Sequence, residues 1–350
     1  MKPCVWLLAA LVGVLVPAPA AASRTPYPQD RTLRVNQVQV LGTHNSYHLR
    51  PNRQLQPNEP ADYTHPPLDV QLAQGIRSLE IDVQNGPTFP VYHSIIVDQA
   101  SNCATLEVCL GTVQQWSRAN PGHVPLLLFV ELKQLPVNSN PALQQVIDNF
   151  ANANQLTPWD AGALDRLDRV VRGAFGKDLV TPDEVRGKRS SLRAAVTQSG
   201  WPTLAKTRGR VIVVFNSDAM RPTYLSGHPT LQGRAMFAIA RSSRLPYSAI
   251  MSVPDPRQTR IRQLLDQHMI VRTQADVDGR EARANDLTRA AAAIRGGAQV
   301  VATDYPVPDP TIGPYVVTLP GTVGARCDPV TAPRACRDRD VENAVGLRTG

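Results

Sequence analysis

The sequence predicts an α/β fold, a single TIM-type (β/α)8-like barrel, on three observations. Short apolar runs of strand length alternate with longer amphipathic stretches of helix length, the pattern of a mainly parallel sheet covered on both faces. Eight such runs fall within about 270 residues, which matches the strand count and size of a closed barrel. Residues 126–130, Leu-Leu-Leu-Phe-Val, are uniformly apolar, as expected of a strand buried on both faces. An open doubly wound sheet stays the alternative, because no glycine-rich dinucleotide loop is present to decide the matter.

The strand candidates are residues 38–41, 76–83, 91–97, 125–132, 211–215, 247–253, 269–273 and 299–303. Amphipathic stretches at 106–118, 141–153, 231–242 and 282–294 read as helices between them. Residues 133–206 are less regular and rich in Pro, Gly and Arg, so helices and a long excursion over 181–201 are expected there. The tail beyond Pro306 has no periodicity.

The N-terminus has the form of an export signal. Lys2 supplies the positive start, an apolar run covers 5–16, Pro17 breaks it, and Ala20, Ala21 and Ala22 offer a cleavage site. The expected division is a signal peptide over 1–22 and one catalytic domain over 23–350, secreted and acting as a monomer. No later run reaches the roughly 20 apolar residues that a membrane span needs. Cys4 precedes the apolar run, which argues against a lipoprotein anchor. The other four cysteines form two close pairs, and proximity favours Cys103 with Cys109 and Cys327 with Cys336, as disulfides of an exported protein. Zinc is the competing reading, but neither pair has the two-residue spacing of a zinc knuckle.

The net charge of +8 does not indicate a nucleic-acid binder. Lys and Arg are scattered, aromatics make up only 5%, and no basic helix or stacking strip appears. A diffuse positive field favours encounter with an anionic substrate or surface, and is equally what a basic exported protein of Ala-, Arg- and Pro-rich composition shows.

Ionisable residues collect where several runs end. His44 and Asn45 follow the first. Glu80 and Asp82 lie on the second, two apart and so on one face. His93 lies on the third, and Glu131 and Lys133 close the fourth. The carboxyl ends of barrel strands meet at one mouth, so these residues are expected to converge. Three carboxylates crowded together require a cation, and an all-oxygen set completed by Asn45 suits calcium or magnesium. Lys133 and two imidazoles add the positive charge that a bound phosphodiester needs. Each feature has a plainer reading: His44-Asn45 as a turn device, Glu80 and Asp82 on an edge strand, Glu131 and Lys133 as a strand ending in solvent. The remaining histidines, His48, His65, His123, His228 and His268, read as ordinary loop or surface residues. Trp159 and Trp201 are candidates for an interfacial rim.

Residues 38–133 resemble the calcium-dependent, phosphoinositide-specific phospholipase C family, particularly its exported bacterial branch. The similarity rests on Leu-Gly-Thr-His-Asn-Ser-Tyr, Arg-Ser-Leu-Glu-Ile-Asp-Val, Val-Tyr-His-Ser and Leu-Phe-Val-Glu-Leu-Lys, with Cys-Ala-Thr-Leu-Glu-Val-Cys-Leu between them. The resemblance implies His44 and His93 as catalytic histidines and Asn45, Glu80, Asp82 and Glu131 as Ca2+ ligands. It further implies Lys133, with Arg272, toward phosphate or inositol, and a substrate such as phosphatidylinositol met at a membrane surface. Asp304 is open between an inositol contact and a structural cap. The lysine cluster with which eukaryotic relatives read ring phosphates is not evident, which favours the unphosphorylated lipid. A glycerophosphodiester phosphodiesterase is the nearest rival, but its signature places Arg where Asn45 stands. A metal-independent phospholipase C uses an Arg in place of the carboxylates. A non-catalytic barrel binding anionic lipid or glycan is the rival from another class.

Overall fold

The computed structural model describes residues 27–51, 59–321 and 324–342; the expected signal peptide and Cys4 lie outside them. Eight parallel strands form the barrel: β1 (Val38–Thr43), β2 (Ser78–Val83), β3 (Leu126–Leu132), β4 (Val211–Asn216), β5 (Phe237–Ala238), β6 (Ile250–Ser252), β7 (Ile270–Gln274) and β8 (Val300–Thr303). Their order is β5-β4-β3-β2-β1-β8-β7-β6. A parallel bridge between Ile239 and Ile250 joins the two ends, with Ala240 N donating to Ile250 O at 3.0 Å. The expected TIM-type barrel is therefore the observed one. A ninth strand, β9 (Ala325–Cys327), pairs antiparallel with the first half of β1, Val38 to Val40.

Val211–Phe215 and Leu126–Val130 are buried along their length, the consequence of helices outside and packed side chains inside. The helix Leu106–Ala119 is capped by Thr105 and buries Leu106, Cys109, Leu110, Val113 and Trp116, a stripe of helical spacing. Pro141–Ala153 starts on Asn140 with Pro at its first position. Both disulfides, Cys103–Cys109 and Cys327–Cys336, are present. Among the described residues no helix is long and apolar enough to cross a membrane.

Three expectations about elements require correction. Residues 91–97 are not a strand: Val91 N donates to Ala104 O, Pro90 pairs with Thr105, and Ser94 folds back on Asp98. The disulfide-held start of helix Leu106–Ala119 thus draws this segment off the sheet. Its Tyr92 and Ile95 pack with Ile147, Ala151 and Leu156 in a separate small cluster. The missing eighth strand is β5, inside the stretch read as a helix over 231–242. Leu231 (φ 59°) and Gly233 (φ 74°) take left-handed conformations that no helix continues through. The helix expected over 282–294 is two, Arg280–Ala284 and Thr288–Arg295, broken at Asn285 (φ 47°). Within 133–206, where helices are expected, Ala161–Phe175 is a regular one, capped by Asp160 and burying Leu164, Leu167, Val171 and Phe175.

Candidate active site

β1 ends in a turn that is locked onto β2. Asn45 takes a left-handed backbone (φ 44°), which Asn tolerates better than most side chains. Ser46 N donates to Glu80 O and Glu80 N donates to Ser46 Oγ, both at 2.8 Å. The turn therefore holds His44 over the barrel mouth. His44 Nδ1 lies 2.9 Å from Asp304 Oδ1, and its Nε2 lies 3.9 Å from Glu80 Oε2. Asp304 follows β8 and is itself oriented by Asp276, whose Oδ1 accepts its backbone N–H at 2.9 Å. Burial opposes a charge on His44, but the Asp304 carboxylate and then Glu80 outweigh it and raise the ring to about 9. His44 is consequently charged at neutral pH.

The strand register supplies the carboxylates. Asp82 on β2 faces Glu131 on β3, which faces Asn216 on β4. Asn216 Nδ2 donates to Glu131 Oε2 at 2.9 Å and, more weakly, to Glu80 Oε1 at 3.4 Å. Lys133 Nζ sits between Asp82 Oδ2 (2.8 Å) and Glu131 Oε1 (2.9 Å). Arg272, delivered by β7, closes onto Glu80 Oε2 and lies 5.1 Å over the Phe129 ring. Asp82 also accepts from Tyr47 OH at 2.8 Å. Burial, opposed by Lys133 and reinforced by Glu131 and Glu80, lifts the Asp82 carboxyl to about 7.

His93 reaches the same mouth from the long loop after β2, not from a strand. It lines a cleft of about 140 Å3 together with His44, Asn45, His48, Tyr63, Asp98 and Asp304. Its Nδ1 is 3.5 Å from Asp98 Oδ2, which also pairs with His48 Nε2 at 3.0 Å. The ring is 44% exposed. Desolvation and then the nearby Lys133 ammonium lower its pKa to about 4, so it is neutral at rest.

All eight residues singled out in the sequence thus lie at one end of the barrel: His44, Glu80, Asp82, Glu131, Lys133 and Arg272 are linked, with Asn216 as intermediary, and Asn45 and His93 line the cleft beside His44. Several supporting residues were missed. His48 and His65 are buried: His65 Nε2 pairs with His44 O at 2.9 Å, and the His48 ring lies 4.4 Å from that of Tyr63. His123 is also buried, against Ser117 Oγ. Asp304 is a direct partner of His44, a role that its place immediately after the last barrel strand could have signalled. Trp159 and Trp201 do not form a rim. Both are buried, and their indole N–H groups donate to Lys133 O and His268 O.

Whether this set suits a divalent cation can be judged from its chemistry. Asn45, Glu80, Asp82 and Glu131 offer oxygen only, which fits a hard cation. Asp82 Oδ1 is buried without a hydrogen-bond partner, an open acceptor in the midst of the set. The carboxylates are drawn to Lys133 and Arg272, and among the described residues no three His, Cys, Asp or Glu are gathered as a ready-made metal cluster. The donors fit calcium in kind, and Lys133, Arg272 and the His44 imidazolium together offset their charge here.

A family model described as Ca2+-dependent phosphoinositide phospholipase C matches residues 33–89 and 84–329. No curated protein is significantly similar in sequence. Among solved structures, the chain is similar to a calcium-dependent phosphoinositol-specific phospholipase C of Pseudomonas sp., at 17% identity and TM-score 0.57, covering 86% of this chain and 98% of that one. A myo-inositol complex of the Pseudomonas enzyme gives TM-score 0.58 at the same identity and coverage. A Ca2+-dependent phosphatidylinositol-specific phospholipase C from Streptomyces antibioticus matches at 16% identity and TM-score 0.53, over 78% of this chain and 95% of that one. At these identities the structural likeness establishes the barrel, whereas the family model spans most of the chain. With that match over both the strand ends and the loop carrying His93, the chain belongs to the Ca2+-dependent phosphoinositide phospholipase C family, whose chemistry is phosphodiester cleavage.

Proposed function

We propose that the protein is a secreted phospholipase C that cleaves phosphatidylinositol to diacylglycerol and an inositol phosphate, cyclic, open or both. The observation that carries this reading is the pair of imidazoles in one cleft, His44 charged and His93 neutral, beside an all-oxygen acidic set. Asn45, Glu80, Asp82 and Glu131 would hold Ca2+, which lowers the pKa of a bound hydroxyl and offsets charge developing on phosphate oxygens. The inositol 2-hydroxyl attacks phosphorus, and Glu80 or Glu131 accepts its proton. His44, kept as imidazolium by Asp304, stabilises the pentavalent phosphorane. His93 becomes charged once the anionic phosphodiester lies against it, and then protonates the departing diacylglycerol oxygen. Lys133 and Arg272 are the cations within reach of phosphate or inositol.

Export by residues 1–22, with 23–350 acting as one monomeric catalytic domain, agrees with the two disulfides. Transient contact with a membrane surface is supported by apolar side chains on the loops that leave β2 and β3. Val137 is 93% exposed, and Ile96 and Val97 are 40% and 47% exposed. Their neighbours Ile95 and Leu135 belong to one cluster, so the two loops lie together. The test is release of inositol phosphate from phosphatidylinositol vesicles with calcium and with chelator. Calcium-dependent release that His44→Ala and His93→Ala abolish supports the reading; equal rates with calcium and chelator remove the metal from it.

A further inference from the structure

Asp98 presents an arrangement that the reaction as written leaves without a task. It is a carboxylate 3% exposed, and a buried anion is costly unless it is paired. Its ion-pair partners are two imidazoles, His48 and His93, both on Oδ2, while Oδ1 has no hydrogen-bond partner. The carboxylate is held from both sides. Asp98 N and O pair with Ser94 O and N across a tight turn. His48 is fixed by its ring contact with Tyr63, by its backbone N–H on Asn45 O and by its carbonyl on His65 N. His93, by contrast, is half exposed and has no other ion-pair partner among the described residues.

We propose that Asp98, braced by His48, is the positioning residue for His93, fixing a proton on Nδ1 and so presenting Nε2 to the leaving group. This rests on His93 being the proton donor in the reaction proposed above. A carboxylate facing Nδ1 selects the tautomer in which Nε2 carries the lone pair, and stabilises the imidazolium once Nε2 takes a proton. The 3.5 Å separation is the looser contact expected before substrate is bound, and a small rotation of the half-exposed ring closes it. In the step concerned, the inositol 2-oxygen bonds to phosphorus and yields its own proton to a base. The bond from phosphorus to the diacylglycerol oxygen breaks with its electron pair on that oxygen, and the proton on His93 Nε2 goes to it. Asp98 touches none of the reacting atoms.

The experiment compares two substrates, both presented as monomers in solution, that differ chiefly in their need for that proton: a short-chain phosphatidylinositol below its micelle concentration, whose leaving alkoxide is strongly basic, and a p-nitrophenyl ester of inositol phosphate, whose leaving phenolate is not. For Asp98→Asn, kcat on the lipid is expected to fall about 50-fold, a part of the roughly 100- to 10,000-fold that general acid catalysis supplies, and on the nitrophenyl ester less than about threefold. The double variant with His93→Ala should be no more than about threefold slower on the lipid than His93→Ala alone, because residues acting as a unit are not additive. Equal losses on both substrates, or an additive double variant, would overturn the positioning role. Should His93→Ala itself lose both substrates equally, the proton-donor assignment fails, and this proposal with it. If Asp98→Asn does not fold, His48→Phe carries the same comparison, since it keeps a ring against Tyr63 and removes the N–H that braces the carboxylate. A selective loss on the lipid then supports the proposal, and an unselective one refutes it.

Discussion

Arg272→Met tests the claim that Glu80 is a buried anion balanced by a neighbouring cation. Both partners are nearly inaccessible, at 6% and 2%, and the substitution keeps an unbranched chain against Phe129 while removing the guanidinium. Breaking a buried pair from one side costs about 3–5 kcal/mol, because the remaining charge is stranded. The lower end applies here, since the His44 imidazolium remains 3.9 Å from the same carboxylate oxygen. At about 2 °C per kcal/mol for a chain of this size, the melting temperature in chelator should fall by roughly 6 °C. Calcium should then raise the variant's melting temperature more than the parent's, because in the parent a divalent ion competes with the guanidinium for Glu80. Differential scanning calorimetry in chelator and in calcium reads both numbers. A loss below about 1 kcal/mol in chelator, or an equal calcium response in the two proteins, would refute the reasoning.

Two further predictions concern the surface and the tail. Replacing Ile96, Val97 and Val137 together by Ser should lower activity on phosphatidylinositol vesicles about tenfold or more, each buried side chain contributing 1.5–3 kcal/mol at most, while leaving turnover of a soluble inositol phosphodiester unchanged; equal losses on both would remove the membrane-contact reading. Asp328 is lifted to about 6 by burial and has Oδ2 unpartnered, while its Oδ1 accepts from Val330 N and Thr331 N. The folded chain therefore binds more protons than the unfolded one between about pH 4 and 6, and this carboxyl subtracts stability as pH rises through that window. Linkage limits the penalty to about 3 kcal/mol, and an Asn that buries an unpartnered N–H gives back about 1. Asp328→Asn should thus be about 1–2 kcal/mol more stable at pH 7 and about 0.5–1 kcal/mol less stable than the parent near pH 4, where the carboxyl is protonated and only the cost of the Asn remains, by urea midpoints across that range. A variant less stable at pH 7 would mean that the backbone donors hold the carboxylate charged.

The barrel and its acidic mouth were legible in the sequence because both depend on short-range rules. A strand buried on both faces must be apolar throughout, so β3 and β4 announce themselves. The period of two places Glu80 with Asp82, and Glu131 with Lys133, on shared faces whatever the tertiary setting. What escaped was set by contacts distant in sequence. His93 lies in an apolar run that looks like a strand. The Cys103–Cys109 bridge at the start of the helix Leu106–Ala119 and the small cluster around Ile95 and Ile147 hold it in a loop instead, and no local pattern encodes that choice. β5 has two residues, too few for any periodicity, and is a strand only because Val214 and Phe215 offer it an edge. The same distinction separates catalytic candidates from their supports. His44 and His93 stand beside residues of recognisable chemistry, whereas Asp98 and Asp304 acquire meaning only from an imidazole 5 and 260 positions away. The two carboxylates also stand beside rings in opposite charge states. Asp304 acts on His44 together with Glu80 and prevails over burial, whereas Asp98 faces a ring that Lys133 also repels. One barrel mouth thereby keeps one imidazolium and one neutral imidazole at the same pH, and the carboxylate and ammonium neighbours, more than the histidines themselves, decide which is which.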